Sequence, residues 1–337
     1  MRASVLRAAR QLGVEERARP QPRADEVLVR VGSVGVCGSD VHYYEHGRIG
    51  RFVVEDPLVL GHEASGTVEE VGSAVEGLRS GQRVSVEPGV PDLTCQQCLA
   101  GRYNLCPNMR FFATPPIDGA FSEYVVVHAA FAHPVPDEIS DDAAALLEPL
   151  SVGVWANRKA AVTAGSRVLI TGAGPVGLVS LQTALAFGAL EVTVSDVNAS
   201  RLALARELGA TRTLDPRTAS LHDLPEAPDV LLECSGFPPA IGDGIRALDG
   251  AGRAVLVGMG GDEVPLPLSV IQERELTVTG TFRYANTWPT AIGLVASGRV
   301  DLDRLVTGHF GLDQVGDALA AGRRDEHSVK VMVHPHA

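Results

Sequence analysis

The chain has 337 residues, enough for two domains, because single hydrophobic cores stop growing near ~250–300 residues. Its 45% hydrophobic and 21% charged content is that of a globular protein, and 36 Gly with 21 Pro argue against a helical bundle. A net charge of −12 and a pI of about 5.3 speak against nucleic acid or an anionic membrane as a partner.

No apolar run reaches the ~18–20 residues of a membrane span. The start, Met1–Arg7, lacks the apolar stretch of a secretion signal. The expectation is a cytoplasmic protein without a membrane partner. Five cysteines (Cys37, Cys95, Cys98, Cys106 and Cys234) are no disulfide framework in a chain of this length. Three of them fall within twelve residues, which in a reducing compartment predicts a metal site.

In chain order, the first 150 residues read as β-rich. Glu26–Val31 alternates with the period of a half-buried strand. Val68–Val71 and Arg83–Val86 are further short strands, separated by glycines. Recurrent Pro and Gly leave no room for a long helix before Asp141, where Ser140 and Asp141 precede an Ala/Leu run. Between them lies Val36–Tyr44, which combines a thiol (Cys37), a hydroxyl (Ser39), an imidazole (His42) and two phenols (Tyr43, Tyr44). These are the parts needed to bind zinc, hold an alcohol and carry off a proton. In Gly61–Gly66, His62 and Glu63 add an imidazole and a carboxylate. With Cys37 they make a nitrogen, oxygen and sulfur set suited to zinc, with a fourth position open. A further acid, Glu148, stands where the two halves join.

After Val152 the pattern changes. Ser166–Thr171, Glu191–Ser195, Pro228–Glu233, Arg253–Val257 and Leu276–Gly280 read as strands. Helices are expected at Leu178–Phe187 and Arg201–Leu208. Alternation of this kind predicts a parallel sheet covered on both faces. The turn Gly172-Ala-Gly-Pro-Val-Gly177 fits G-x-G-x-x-G and has the required strand before it and helix after it. Gly172 permits the tight turn, Gly174 lets a pyrophosphate approach, and Gly177 lets helix and strand pack; Val176 stands inside the turn. The phosphates would meet the free N–H groups of the helix N-terminus. Asp196, nineteen residues after Gly177, ends the next strand, where a carboxylate binds a ribose diol and repels a 2′-phosphate. NAD is therefore expected over NADP, although Arg201 nearby is able to pair with such a phosphate. From Asn286 onward a helix Pro289–Ala296, a strand near Leu305, a helix Leu312–Ala321 and a strand Ser328–Val333 are expected to return to the first domain. The domains are thus expected at 1–152 with 286–337, and at 153–285.

The segment Gly61-His-Glu-x-x-Gly66-x5-Gly72-x-x-Val75 matches the zinc alcohol dehydrogenase signature at every fixed position. The chain resembles the medium-chain zinc-dependent alcohol dehydrogenases from Glu26 to Val333, and most the polyol branch of sorbitol and xylitol dehydrogenases. Cys37–Gly50, Gly101–Leu105, Phe112–Pro116, Leu147–Gly153 and Phe282–Trp288 carry that likeness. It implies an α/β protein with a GroES-like catalytic domain and a Rossmann cofactor domain. It implies a catalytic zinc on Cys37, His62 and Glu63, with Glu148 at the position of a second Cys in other members, beside the zinc or the substrate. Val257-Gly258-Met259 and Thr281-Phe282-Arg283 match segments that line the nicotinamide.

In the same family four Cys hold a structural zinc. Here Asp92 replaces the first, before Cys95, Cys98 and Cys106. Zinc accepts a carboxylate, so a second zinc is favoured over a decayed lobe. The resemblance implies a proton path from Ser39 to His42, with Glu148 and water as a rival. Imidazoles exchange protons near neutral pH, which suits the end of a relay. Tyr43, Thr114, Arg283 and Tyr284 are candidates to bind a polyol, and Phe111 to wall it. The resulting expectation is an NAD-dependent polyol dehydrogenase that forms a dimer or tetramer. L-threonine or another secondary alcohol remains an alternative substrate, and a zinc-free quinone reductase or a non-catalytic NAD-binding protein an alternative function. Edge strand Leu276–Gly280 is a candidate pairing surface between copies.

Overall fold

The computed structural model describes residues 1–261 and 263–337. The chain divides into two compact units, Met1–Glu148 with Leu302–Ala337, and Pro149–Asp301.

The first unit is built on Glu26–Gly35, whose valines and Leu28 are buried. This strand is central to a seven-stranded sheet. Glu63–Val71 runs antiparallel along one edge of it, with Gly35 opposite Glu63. Lys330–His334 pairs antiparallel with it as well, with Met332 opposite Gly35. The C-terminal return thus completes the sheet. Leu312, Val315, Leu319, Val331 and Val333 join the core formed by Val27, Val29, Val34 and Phe121.

One expectation needs correction here. The tail returns from Leu302, later than Asn286. Helix Trp288–Ala296 stays with the second unit because Trp288 is fully buried beside Tyr284, and Gln182 bonds the backbone of Asp301 in both directions. In the first unit, Gly38–His46 forms a nine-residue helix, which agrees with the expectation of no long helix before Asp141 but was not itself read from the sequence. The Asp40 carboxylate accepts the Cys37 N–H at 3.0 Å, and Gly47, at φ 68°, closes the helix by donating to Tyr43 O. The helix buries only Asp40 and Tyr43. It therefore lacks the broad apolar face from which helices are read.

In the second unit six parallel strands take the order Arg212–Leu214, Glu191–Ser195, Arg167–Thr171, Val230–Glu233, Arg253–Leu256, Thr277–Gly280. The first strand in sequence is internal, and the order reverses between it and Val230–Glu233. Ligands of open parallel sheets bind at such a switch point, outside the carboxyl ends of the strands. Helix Pro175–Ala186 packs on the sheet with Leu178, Val179, Leu181 and Ala184 buried, so it is apolar nearly all round. Among the described residues no helix is long and apolar enough to cross a membrane.

Candidate metal and cofactor sites

Cys37 is the N-cap of helix Gly38–His46, His62 immediately precedes strand Glu63–Val71, and Glu63 opens it. Their ligand atoms fall within 4.8 Å of one another. Asp40, fully buried, organises the group: it accepts the N–H of Cys37 and, at 2.9 Å, that of Gly61, and it stands 3.6 Å from His62 Nδ1. That leaves Nε2 to face a metal, with a carboxylate behind the ring as in zinc proteins. Burial opposes a charged His62, but the neighbouring Asp40 and Cys37 side chains outweigh it and raise the proton affinity well above the ordinary value. Such an electron-rich pocket suits a dication.

Glu63 is 1% exposed, and both its oxygens accept from Lys330 Nζ at 2.8 Å. Lys330 also donates to Val36 O at 2.8 Å. Burial opposes its charge, but Glu63, Cys37 and Glu148 raise its pKa. A Cβ on Gly35 would come within 2.0 Å of Glu63 Oε2, so only glycine leaves room for this carboxylate. Glu148, expected among the ligands, stands outside the three-residue cluster. It is buried in the first turn of helix Leu147–Lys159, and its carboxylate acts on Lys330.

Ser39 and His42 are three apart on one helix and so share a face; Ser39 is half-buried and His42 exposed. Phe111 packs its ring 5.8 Å from that of His62. Thr114 is half-buried in the following turn. Tyr43 is 4% exposed and belongs to the core of the unit, and Tyr44 packs against that core. In the second unit, Tyr284 is buried edge-on against Trp288, and the Arg283 guanidinium lies 4.8 Å from the Phe282 ring centre.

Asp92, Cys95, Cys98 and Cys106 likewise bring ligand atoms within 4.8 Å. Cys95 and Cys98 Sγ are 3.4 Å apart, and Cys98 Sγ is 3.5 Å from Asp92 Oδ1. Asp92 accepts backbone N–H bonds from Cys95 and Thr94 and a side-chain bond from Asn108. These bonds hold its carboxyl well below the usual range. Burial and the neighbouring thiols push Cys98 up to about 12. The Cys98 backbone N–H lowers Cys95. One carboxylate and three sulfurs are a chemically sound zinc set.

The glycine turn has the geometry its motif demands. Gly172 sits at φ 91°, and a Cβ on Gly177 would meet Gly172 O at 1.9 Å. Gly174 is the N-cap of helix Pro175–Ala186 and has open space beside it. Asp196 accepts the N–H of Ala173 at 2.6 Å and that of Asn198 at 2.8 Å. A cavity of about 830 Å³ is lined by Gly172, Asp196, Arg217, Ser235 and Phe237 among others. Residues Pro216–Asp223 line it as well. Arg201 and Val176 are half-buried and do not line this cavity. Val257 and Gly258 follow strand Arg253–Leu256, and both donate to Glu233 O at 2.8 Å. Met259 is exposed. Thr281 follows Thr277–Gly280 and donates to Leu256 O. All these segments lie at the carboxyl ends of the sheet.

The alcohol dehydrogenase GroES-like domain matches residues 23–137, and the zinc-binding dehydrogenase domain residues 175–297. The chain belongs to the zinc-binding alcohol dehydrogenase family. Sorbitol dehydrogenase of Gallus gallus is 45% identical over 339 residues, covering 98% of this chain and 95% of that protein. The structure of L-idonate 5-dehydrogenase from Escherichia coli superposes with a TM-score of 0.94 at 29% identity, covering 99% of this chain and 98% of that one. That of 2R,3R-butanediol dehydrogenase from Bacillus subtilis superposes at 0.91 with 31% identity, covering 99% of both chains.

In this zinc-binding alcohol dehydrogenase, sequence reasoning missed Gly35, Asp40 and Lys330. Asp40 lay in plain view between Ser39 and His42. Lys330 interrupts an otherwise apolar run, Val329–Val333, and a lone charge in a buried strand is a signal that it has a buried partner.

Proposed function

We propose that the chain oxidises a polyol at a secondary alcohol to a ketose, with NAD as acceptor. The observation that carries this is the Cys37, His62 and Glu63 set, held from behind by Asp40 and Lys330, in a chain so similar to sorbitol dehydrogenases. Bound zinc would supply a Lewis acid that acidifies the alcohol, and bound NAD a hydride acceptor. Cys37, His62 and Glu63 hold the metal. Asp40 fixes the ring of His62, and Lys330 fixes the carboxylate of Glu63. Glu148 stands ready to order a water or a substrate hydroxyl. Phe111 walls the site beside His62, and Thr114, half-buried in the following turn, offers a hydroxyl to the rest of the substrate.

Ser39 takes the proton and His42, exposed on the same helix face, passes it to solvent. His42→Ala is expected to lower turnover several-fold below neutral pH, where hydroxide is scarce, and little above it. Equal turnover of variant and wild type across the whole pH profile would reject this path.

Asp196 favours NAD by meeting the ribose diol and repelling a 2′-phosphate. Asp92, Cys95, Cys98 and Cys106 hold a second, structural zinc. The chain assembles with copies of itself through edge strand Thr277–Gly280.

The deciding experiment measures initial rates on xylitol, D-sorbitol, L-threonine and 2,3-butanediol with NAD and NADP, before and after zinc removal. The highest kcat/KM is expected on a polyol with NAD, and chelation should abolish it. Preference for L-threonine or 2,3-butanediol would move the substrate to another secondary alcohol. Chelator-resistant activity would count against the metal assignment itself.

A further inference from the structure

Two imidazoles and a carboxylate outside the catalytic machinery converge in the first unit. Asp142 stands in helix Asp141–Ala145, His309 on strand Val306–Gly311 and His334 at the end of strand Lys330–His334. Ligand atoms of the three lie within 4.8 Å of one another. His309 Nε2 is 2.6 Å from Asp142 Oδ2, and His334 Nε2 is 2.8 Å from Asp142 Oδ1. The parallel register pairs His309 with Met332 and His334 with Gly311, so the imidazoles are diagonal neighbours, with ring centres 4.9 Å apart. Ser33, fully buried, donates from Oγ to Asp142 Oδ1 at 2.6 Å. Burial works to raise the Asp142 carboxyl, but Ser33, His334 and His309 outweigh it and hold it below the ordinary aspartate value.

We propose that Asp142, His309 and His334 form a third metal site, one that takes a borderline divalent ion such as zinc, cobalt or nickel. Two imidazole nitrogens and one carboxylate oxygen are the donors such ions prefer over calcium or magnesium. An ion bound at about 2.0–2.2 Å from each donor, in tetrahedral array, sets the donors roughly 3.3 Å apart. The present separations of 2.6 and 2.8 Å are those of hydrogen bonds, so the site opens by small rotations of the two rings. The side chain of His309 is 53% exposed, which gives an ion its way in and the ring its freedom to turn. Ser33 holds the carboxylate from behind, as outer partners do in metal sites.

Ligation requires a bare Nε2 on each ring. The proton that each now shares with Asp142 moves to Nδ1 or to solvent, and affinity rises with pH. A bound ion would tie together helix Asp141–Ala145 and the last two strands of the chain, the second of which carries Lys330.

The test uses the full-length chain, loaded with zinc and dialysed against low-micromolar free zinc, then cobalt, with metal per chain counted by elemental analysis. Wild type is compared with His309→Gln and His334→Gln, with circular dichroism and gel filtration as controls for folding. Each variant is expected to bind one ion per chain fewer, its affinity at this site weakened about 100-fold or more. Equal stoichiometry and affinity in wild type and variants would overturn the proposal and leave a purely structural hydrogen-bond network. Should His334→Gln fail to fold, His309→Gln decides alone, because its exposed ring contributes little to the core.

Discussion

Lys330 and Glu63 show how a single residue contact organises this molecule. Both are almost fully buried, and they meet across 267 positions of sequence. Removing one member of a buried ion pair leaves the other charge without a partner, which costs about 3–5 kcal/mol. Lys330→Met is therefore expected to lower the urea-unfolding free energy of the zinc-free protein by about 3–5 kcal/mol. A loss under about 1 kcal/mol, the worth of a surface pair, would mean that Glu63 is held by something else. Cys37, His62 and Glu63 were legible as a donor set because their chemistry is written in their side chains. What steadies them was not legible. Asp40 acts through backbone N–H groups of Cys37 and Gly61, and Lys330 through a strand that sequence places at the other end of the chain.

At the scale of elements, those with strong local signals emerged as expected. Arg167–Thr171, the glycine turn and helix Pro175–Ala186 follow from an apolar run, positive φ at Gly172 and a proline in the first helical turn. Helix Gly38–His46 did not, because it is fixed by Asp40 and Gly47 and has scarcely any apolar face. The segment Asp92–Cys106 stands between these cases. It contains only the four-residue helix Gln96–Leu99 and a short 3-10 turn, and Leu93, Leu99 and Leu105 are exposed. Its order rests on the side chains that face one another inside it. Asp92→Ala is expected to remove one zinc per chain and to make the lobe the first site of limited proteolysis. Unchanged zinc content and an uncleaved lobe would show that it holds together without metal.

At the scale of the whole molecule, the chain leaves its first unit after Glu148 and rejoins it at Leu302. The last strand fills a place beside Glu26–Gly35 that would otherwise be an open edge. The sheet of the second unit keeps an edge, Thr277–Gly280. Thr277 N–H and Thr281 N–H both point inward, to Gly252 O and Leu256 O, so by alternation Val278 N–H points outward. Leu266, Leu268 and Phe282 are exposed nearby in sequence. If copies pair along this strand, Val278→Pro removes an outward donor and spares the inner ladder. Light scattering should then report a particle of half the wild-type mass or less. An unchanged mass would place the interface elsewhere.

The sequence by itself determined the family, the α/β class and the glycine turn, and offered Cys37, His62, Glu63 and Glu148 as candidate zinc donors, because each rests on residue chemistry or on short-range periodicity. Tertiary structure decided where the tail re-enters the first unit, which acid stands with Cys37 and His62, and what braces them. It also brought Asp142, His309 and His334 together. The physical reason is the same in each case. A strand pairing joins positions hundreds of residues apart, and no local pattern records which buried charge will face which.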